Sequence, residues 1–258
     1  MQIESVDINY SYFDGFSMDT NDGMVHIKSL PYLSIVQSKV GSYGIKLDDE
    51  NEYLTGDGNF FIAPSMTSQK ITHFLNKSQN LFTARYMFLD IIINKKYHLD
   101  DIMDLPIIID KKSNKIFDSL FDEYESTEDI CEQMICLYSI IKHLINLSCE
   151  KTIFRNKEIY PLIEFIRTNY TKNIAISDMA NILNMSESNL YAVFKKHTGI
   201  SPVKYLNDYR LSVASVLLSK TNDTIKNIAE KVGINDQFYF SKLFKNKYAL
   251  SPQQYRKI

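Results

Sequence analysis

Apolar residues in the first part of the chain, residues 1 to about 95, come in short runs rich in aromatic and β-branched side chains. Tyr32-Leu33-Ser34-Ile35-Val36 and Asn59-Phe60-Phe61-Ile62 are examples, and turn signals at Asp22-Gly23, Gly41, Gly44 and Gly56-Asp57-Gly58 separate such runs. Short strands at this spacing predict a β-sandwich or barrel, because each sheet face made by such runs needs a second face to cover it. From about Ser113 the period lengthens. Ile130, Met134, Leu137, Ile141, Leu144, Ile145 and Ser148 fall three or four apart and make one stripe of a helix opened by the acidic pair Glu128 and Asp129. That stripe must be buried, either on the strand domain or on a second copy of the chain as a dimer seam, and periodicity leaves both open. The polar stretch Cys149 to Asn156 has no strong period and reads as a linker.

Beyond it the chain repeats itself. Phe194-Lys195, Ser201-Pro202 and Tyr205 recur fifty residues later as Phe244-Lys245, Ser251-Pro252 and Tyr255. Upstream, Ile176, Met179, Ala180 and Leu183 recur at an offset of forty-nine as Ile225, Ile228, Ala229 and Val232, so the second copy has one extra residue in its turn. Each copy reads as a short helix, a tight turn and a second helix. In the first, Asn184-Met185 is the turn and Ser186 the expected N-cap of a helix to about His197; in the second, Thr224 caps, Gly233 turns, and Asn235 or Asp236 opens a helix to about Asn246. Ala180 and Ala229 suit the close crossing of two helices. Ala175 stands where Thr224 does but has no oxygen, so the first copy is expected to be capped more weakly. Between the copies, Pro202 to Leu218 carries Val203, Leu206, Leu211, Ala214, Leu217 and Leu218 at helical intervals. A helix of that length is a rod of roughly 25 Å, able to hold two reading helices about one turn of DNA apart.

Length and charge sharpen this division. A chain of 258 residues implies two domains, placed at 1–150 and 157–258. From Lys157 onward there are 15 Lys and Arg against 8 Asp and Glu, whereas the preceding part has 14 against 23. A basic half favours a polyanionic partner that the acidic half would repel. The three cysteines, Cys131, Cys136 and Cys149, match neither a zinc site nor a disulfide framework and are expected to be buried packing residues. No apolar run approaches the roughly 18 to 20 residues that cross a bilayer, and the start shows no secretory signal, so no membrane partner and a cytoplasmic location are expected.

Over residues 157–258 the chain resembles the AraC-type DNA-binding domain. The matching residues are Ile-Ala-Glu-Lys-Val-Gly at 228–233, Phe240-Ser241-Lys242-Leu243-Phe244-Lys245, Ser251-Pro252-x-x-Tyr255-Arg256, and Tyr209-Arg210-Leu211-x-x-Ala214-x-x-Leu217-Leu218 on the linking helix. Ile234 replaces the usual Phe after the turn glycine, and Ala249 stands where the family often has Gly. The resemblance implies an all-α domain of two helix-turn-helix units that binds double-stranded promoter DNA, a transcription activator, and RNA polymerase as a further partner.

With Leu190, Val193 and Phe194 facing inward, Ser188, Asn189, Tyr191, Ala192 and Lys195 face outward. By position the resemblance places Ser188, Tyr191 and Ala192 nearest base edges, and Gln237, Phe238, Tyr239 and Lys242 on the matching face of the second unit. Glutamine pairs bidentately with adenine and lysine reaches guanine, while serine and alanine read little, so the first unit is expected to favour A·T-rich sequence or shape. Lys195, Lys196, Lys245 and Arg256, with Lys257, are expected on phosphates.

Residues 33–64 resemble the small cupin-like β-barrel that often precedes AraC-type reading heads, through Tyr53-Leu54-x-Gly56-Asp57-x-Asn59-Phe60-Phe61-Ile62-x-Pro64, and Ala84 to Asp90 resembles a later strand. The expected fold class is therefore α+β and multidomain: a cupin-like regulatory domain with dimerisation helices, then the all-α reading domain. A cupin enzyme needs converging histidines, but His26, His73 and His98 stand alone in sequence. No nucleophile, phosphate or dinucleotide motif appears, so catalytic residues, metal and cofactor are all expected to be absent, although a ligand-binding or enzymatic cupin fused to a DNA-targeting module is the alternative. The first domain is expected to bind a small-molecule effector, with Tyr32, Tyr43, Tyr53 and Phe61 as candidate contacts, or to serve only for homodimerisation.

Overall fold

The computed structural model describes residues 2–48, 52–112, 114–150 and 158–257. They form two compact units, Met1–Lys28 with Tyr32–Thr152, and Ser29–Pro31 with Ile153–Ile258.

The first unit is strand-rich. Its strands are β1 (Val6–Asp19), β2 (Val25–Lys28), β3 (Leu33–Val40), β4 (Ser42–Leu47), β5 (Glu52–Leu54), β6 (Phe60–Ala63), β7 (Gln69–Phe74), β8 (Phe82–Ile93), β9 (Tyr97–His98), β10 (Met103–Asp104), β11 (Ile108–Ile109) and β12 (Cys149–Glu150). One sheet runs β1-β8-β3-β6-β11 with β9 on β8, and another runs β2-β7-β4-β5, antiparallel in every pairing. Val36, Phe61, Phe82 and Ala84 from the first and Tyr43, Ile45, Leu47 and Ile71 from the second share one core. The two sheets thus pack face to face. Among the described residues no strand of one hydrogen-bonds to a strand of the other, so the expected barrel is an open, cupin-like sandwich. The central strand β8 is buried almost throughout because β1 and β3 flank it and both of its faces are covered.

After the short α1 (Leu99–Ile102), two helices, α2 (Lys115–Ser126) and α3 (Ile130–Leu147), follow the strands. Phe117 and Phe121 of α2 set their rings 5.0 and 4.9 Å from Phe60 of the larger sheet, which fixes α2 there. Asp129 caps α3 by accepting from the Cys131 and Glu132 amides. The buried stripe of α3 is Cys136, Leu137, Ile140, Ile141 and Leu144. Ile130, expected in that stripe, is instead exposed, as are Ile135, Tyr138 and Leu147. Cys136 is buried as expected, but Cys131 and Cys149 are exposed. Cys131 lies in the first turn of α3, and Cys149 sits in the two-residue strand β12 opposite Asp104, where little packs over either. Cys149 and Glu150 are therefore part of a strand rather than of the linker; residues 151–156 of the expected linker, and Lys157, lie outside the described residues.

The second unit is helical: α4 (Tyr160–Asn169), α5 (Ile176–Ile182), α6 (Glu187–Thr198), α7 (Pro202–Lys220), α8 (Ile225–Lys231), α9 (Gln237–Tyr248) and α10 (Pro252–Tyr255). Leu162, Ile163 and Ile166 of α4, a helix outside the repeat, complete the first core with Met179, Ala180, Leu190, Phe194 and Leu206. In the second, Phe244 is ringed by Phe240, Tyr248 and Tyr255 at 5.7, 4.5 and 5.2 Å. Such tilted and edge-on contacts suit aromatic quadrupoles.

Candidate nucleic-acid interface

Both helix-turn-helix units form, and their local chemistry follows the sequence closely. Asn184 carries the first turn at φ 51° and Gly233 the second at φ 80°, conformations that favour Asn and Gly over branched residues. Ser186 accepts from the Asn189 amide and so opens α6; Asp236 accepts from the Phe238 and Tyr239 amides and opens α9. Each cap satisfies backbone donors that the helix leaves without partners, contributing about 1 kcal/mol. Thr224 caps α8 through the Asn227 amide. Ala175 cannot do the same for α5, but the Asp178 carboxylate accepts from the Ala175 amide at 2.9 Å, which compensates in part for the missing oxygen.

Leu190 and Phe194 anchor α6, Phe240 and Phe244 anchor α9, and all four are fully buried. This docking turns the opposite faces outward. Ser188, Tyr191 and Ala192 on α6 and Gln237, Phe238, Tyr239 and Lys242 on α9 are all exposed. Phe238 is 86% exposed, which buries little apolar area and so offers the fold little. Its ring is available to a partner.

The cations divide by position. Lys195, Lys196, Lys242 and Lys245 are exposed and have no carboxylate partner among the described residues. By contrast Lys204 pairs with Asp208 at 2.9 Å, Lys231 with Asp223 at 2.6 Å, and Lys247 donates to the Asp208 carbonyl. Arg256 also departs from expectation. It is half-buried, and its Nη2 donates to the Asp223 carbonyl, so the guanidinium ties the chain end to the turn before α8. A group held in that way is not free for a phosphate; Lys257 beside it is exposed.

The linking helix α7 is unbroken over 19 residues, from Ser201, which caps it through the Lys204 amide, to Lys220. Its length is about 28 Å. One residue on it carries a role that the repeat did not reveal. Arg210 is buried, and donates from Nε to the Tyr170 carbonyl at 2.8 Å and from Nη2 to the Lys172 carbonyl at 2.7 Å. Its only sequence signal was its place in the Tyr209-Arg210-Leu211 motif, on a helix that also carries Lys204, Asp208 and Lys220.

In the first unit the four aromatic effector candidates do not form one wall. Tyr43 and Phe61 meet edge-on at 5.3 Å inside the core and are closed off by protein. Tyr32 stacks on Tyr10 at 4.1 Å, and Tyr53 is half-buried on β5. What the first sheet pair does hold is a polar knot invisible in sequence. His73 Nδ1 lies 2.9 Å from the Asp19 carboxylate, and its ring stacks on Phe82 and faces Tyr43 edge-on. His26, brought beside it by the pairing of β2 with β7, is buried with both ring nitrogens lacking a partner. Burial first, then the charge of Lys28 and the nearness of His73, pushes the His26 imidazole down to about 2. Among the described residues no group of three or more His, Cys, Asp or Glu is placed to hold a metal ion. Nor, among the described residues, is any helix long and apolar enough to cross a membrane.

Comparison with known proteins bears on both units. A family model described as a helix-turn-helix domain matches residues 179–258. The lactose operon transcription activator of Staphylococcus xylosus is 41% identical over 101 residues, covering 39% of this chain and 36% of that protein. The transcriptional activator RhaS of Mannheimia succiniciproducens is 30% identical over 194 residues, covering 72% of this chain and 69% of that protein. The first curated relatives are matched over about a third to a half of their length. Among solved structures, ToxT from Vibrio cholerae O395 covers 98% of this chain at a TM-score of 0.63 and 13% identity, which establishes likeness of fold.

Proposed function

Because this chain belongs to the AraC family of transcription regulators, we propose that it binds double-stranded promoter DNA through α6 and α9 and activates transcription there, with RNA polymerase as the protein it meets. The observation that carries this reading is the pair of capped helices on one unbroken strut, each presenting exposed side chains at matched positions. Residues 157–258 form the reading domain in this proposal and residues 1–150 the regulatory one. Gln237 and Lys242 read adenine and guanine edges in the major groove, and Phe238 and Tyr239 offer apolar contact to thymine methyl groups. Ser188, Tyr191 and Ala192 make weaker contacts, so the first half-site is read more by shape. Lys195, Lys196 and Lys245 neutralise phosphates and supply affinity without sequence.

For the first unit the proposal is a regulatory role by small-molecule binding in a compartment that holds DNA, together with homodimerisation. Dimerisation has its own support in the exposed residues of α3. Ile130 and Ile135 are each 67% exposed there, and Tyr138 and Leu147 lie on the outer side of the same helix. Selection of bound duplexes from a random pool by the full chain tests the DNA reading. Recovery of a two-part site with half-sites about one helical turn apart is expected, and recovery of unrelated sequences refutes it. Ligand screening by thermal shift, alongside sedimentation of the protein, separates an effector domain from one that only dimerises.

A further inference from the structure

The backbone from Tyr170 to Lys172, just past the end of α4, is held from two sides. On one side Arg210, near the middle of α7, donates to two of its carbonyls. On the other side lies the turn of the second unit. Gly233 approaches so closely that a Cβ built there would stand 2.7 Å from both the Tyr170 and Thr171 carbonyl oxygens. Gly233 therefore answers two demands, a positive φ and the absence of a side chain, whereas the equivalent turn of the first unit meets the positive φ with Asn184. Tyr170 and Tyr209 add an edge-on ring contact at 5.3 Å beside the clamp.

This segment belongs to the first bundle, through α4, yet it touches the strut and the turn of the second bundle together. Helices of both bundles, α5 and α6 of the first and α8, α9 and α10 of the second, also pack on α7. Burial lowers the affinity of the Arg210 guanidinium for its proton, and it donates to two backbone carbonyls. The carbonyls at the end of a helix carry partial negative charge, which favours a cation there. A guanidinium also presents its donors in a planar fork, so both carbonyls are held at a set angle.

We propose that Arg210 is a positioning residue for DNA recognition: by clamping the Tyr170–Lys172 backbone beside Gly233 it sets the spacing and rotational phase of α6 and α9, and hence the half-site separation that the protein accepts. The proposal rests on the DNA-reading roles assigned above. Moving one half-site by a base pair displaces it by roughly 3.4 Å and turns it by roughly 34°, which a rigid pair of bundles cannot follow. Spacing selectivity is thereby encoded at positions that touch no base.

The test uses the full chain and the two-part site it selects, with the spacer lengthened or shortened by one and two base pairs. Wild type is expected to lose about tenfold or more in affinity at each single-base-pair change, comparable to a mismatched base pair. Arg210→Lys keeps the charge but not the fork, and is expected to flatten this profile to about threefold while binding an isolated half-site as wild type does. Arg210→Gln, which retains one carbonyl bond, gives the same readout should the lysine variant fold poorly by circular dichroism. A spacing profile identical to wild type in the folded variants, or an equal loss at every spacer length, overturns the clamp. A wild-type protein that selects no two-part site overturns the DNA reading itself, and the two failures are thus distinguishable.

Discussion

Replacing Arg85 with methionine tests whether the sheet and the helices of the first unit are joined by charge. Arg85 lies on β8, fully buried, and reaches α2 through Asp118 at 3.3 Å, Asp122 at 2.7 Å and Glu125 at 2.8 Å, while its Nε donates to Gln37 at 2.6 Å. Its guanidinium also lies 5.5 Å from the Phe121 ring centroid. Methionine fills much of the same volume but leaves three carboxylates without their shared cation. Two of them can turn to water, since the Asp122 and Glu125 side chains are 59% and 34% exposed. Asp118 is only 13% exposed, although Lys111 at 3.0 Å and Gln37 at 2.6 Å still support it. The cost therefore falls at the lower end for breaking a buried pair, about 3 kcal/mol. For a unit of this size that lowers Tm by about 6 to 12 °C.

Thermal unfolding of the full chain, followed by far-ultraviolet circular dichroism, measures it, and Asp118→Asn on the Arg85→Met background should recover part of the loss. The pH dependence gives an independent check. The Asp118 carboxyl is held below its usual range, against burial, by Gln37, by Lys111 and by Arg85. A depressed carboxylate contributes stability above its unfolded value near 3.9 and loses it as pH falls through the folded value. Without Arg85 less is there to lose, so the gap between wild type and variant should narrow below about pH 4. A loss under about 1 kcal/mol, or a double variant less stable than the single one, would refute the reasoning.

Lys242→Ala should relax base preference at one position and cost about 1 to 3 kcal/mol on the selected site, whereas Lys195→Ala should weaken specific and scrambled duplexes alike and reduce the salt slope by about one; equal behaviour of the two in anisotropy titrations removes that division. His26, depressed by burial to about 2, is neutral in the fold, so its contribution is complete above its unfolded value and declines as pH falls below it. Between pH 7 and 5 this term is about 2 kcal/mol, and His26→Leu should flatten the urea-unfolding midpoint over that range. Ala249 holds φ 61° at the end of α9, where its counterpart Gly199 holds 77°; Ala249→Gly should therefore stabilise the second unit by about 1 kcal/mol, and a lower midpoint would show that the strain is relieved elsewhere.

The reading units were legible in sequence because every feature that makes them is local. A cap needs one oxygen, as at Ser186 and Asp236; a turn needs one permissive residue, as at Asn184 and Gly233; and a helix face needs a period that a few residues reveal. The repeat then doubled the signal, so both units and the strut stood where the spacing predicted them. Charge separation along the chain likewise needed no coordinates. What tertiary structure alone decided are relations between residues distant in sequence. The closure of the strand domain depends on which strands hydrogen-bond, and the pairing of β4 with β5 and β7 rather than with the larger sheet leaves it open. The meeting of His26 with His73 follows from register, and the withdrawal of Tyr43 and Phe61 from any mouth follows from sheet packing. Arg256 and Arg210 show the same limit from opposite directions. Arg256 reads as a phosphate contact and Arg210 only as a motif residue of the linking helix, yet each donates to backbone carbonyl oxygen more than thirty residues away. The reason is physical: periodicity reports which face of an element is buried, but a polar group's partner is fixed by the packing of whole elements, which no local pattern encodes.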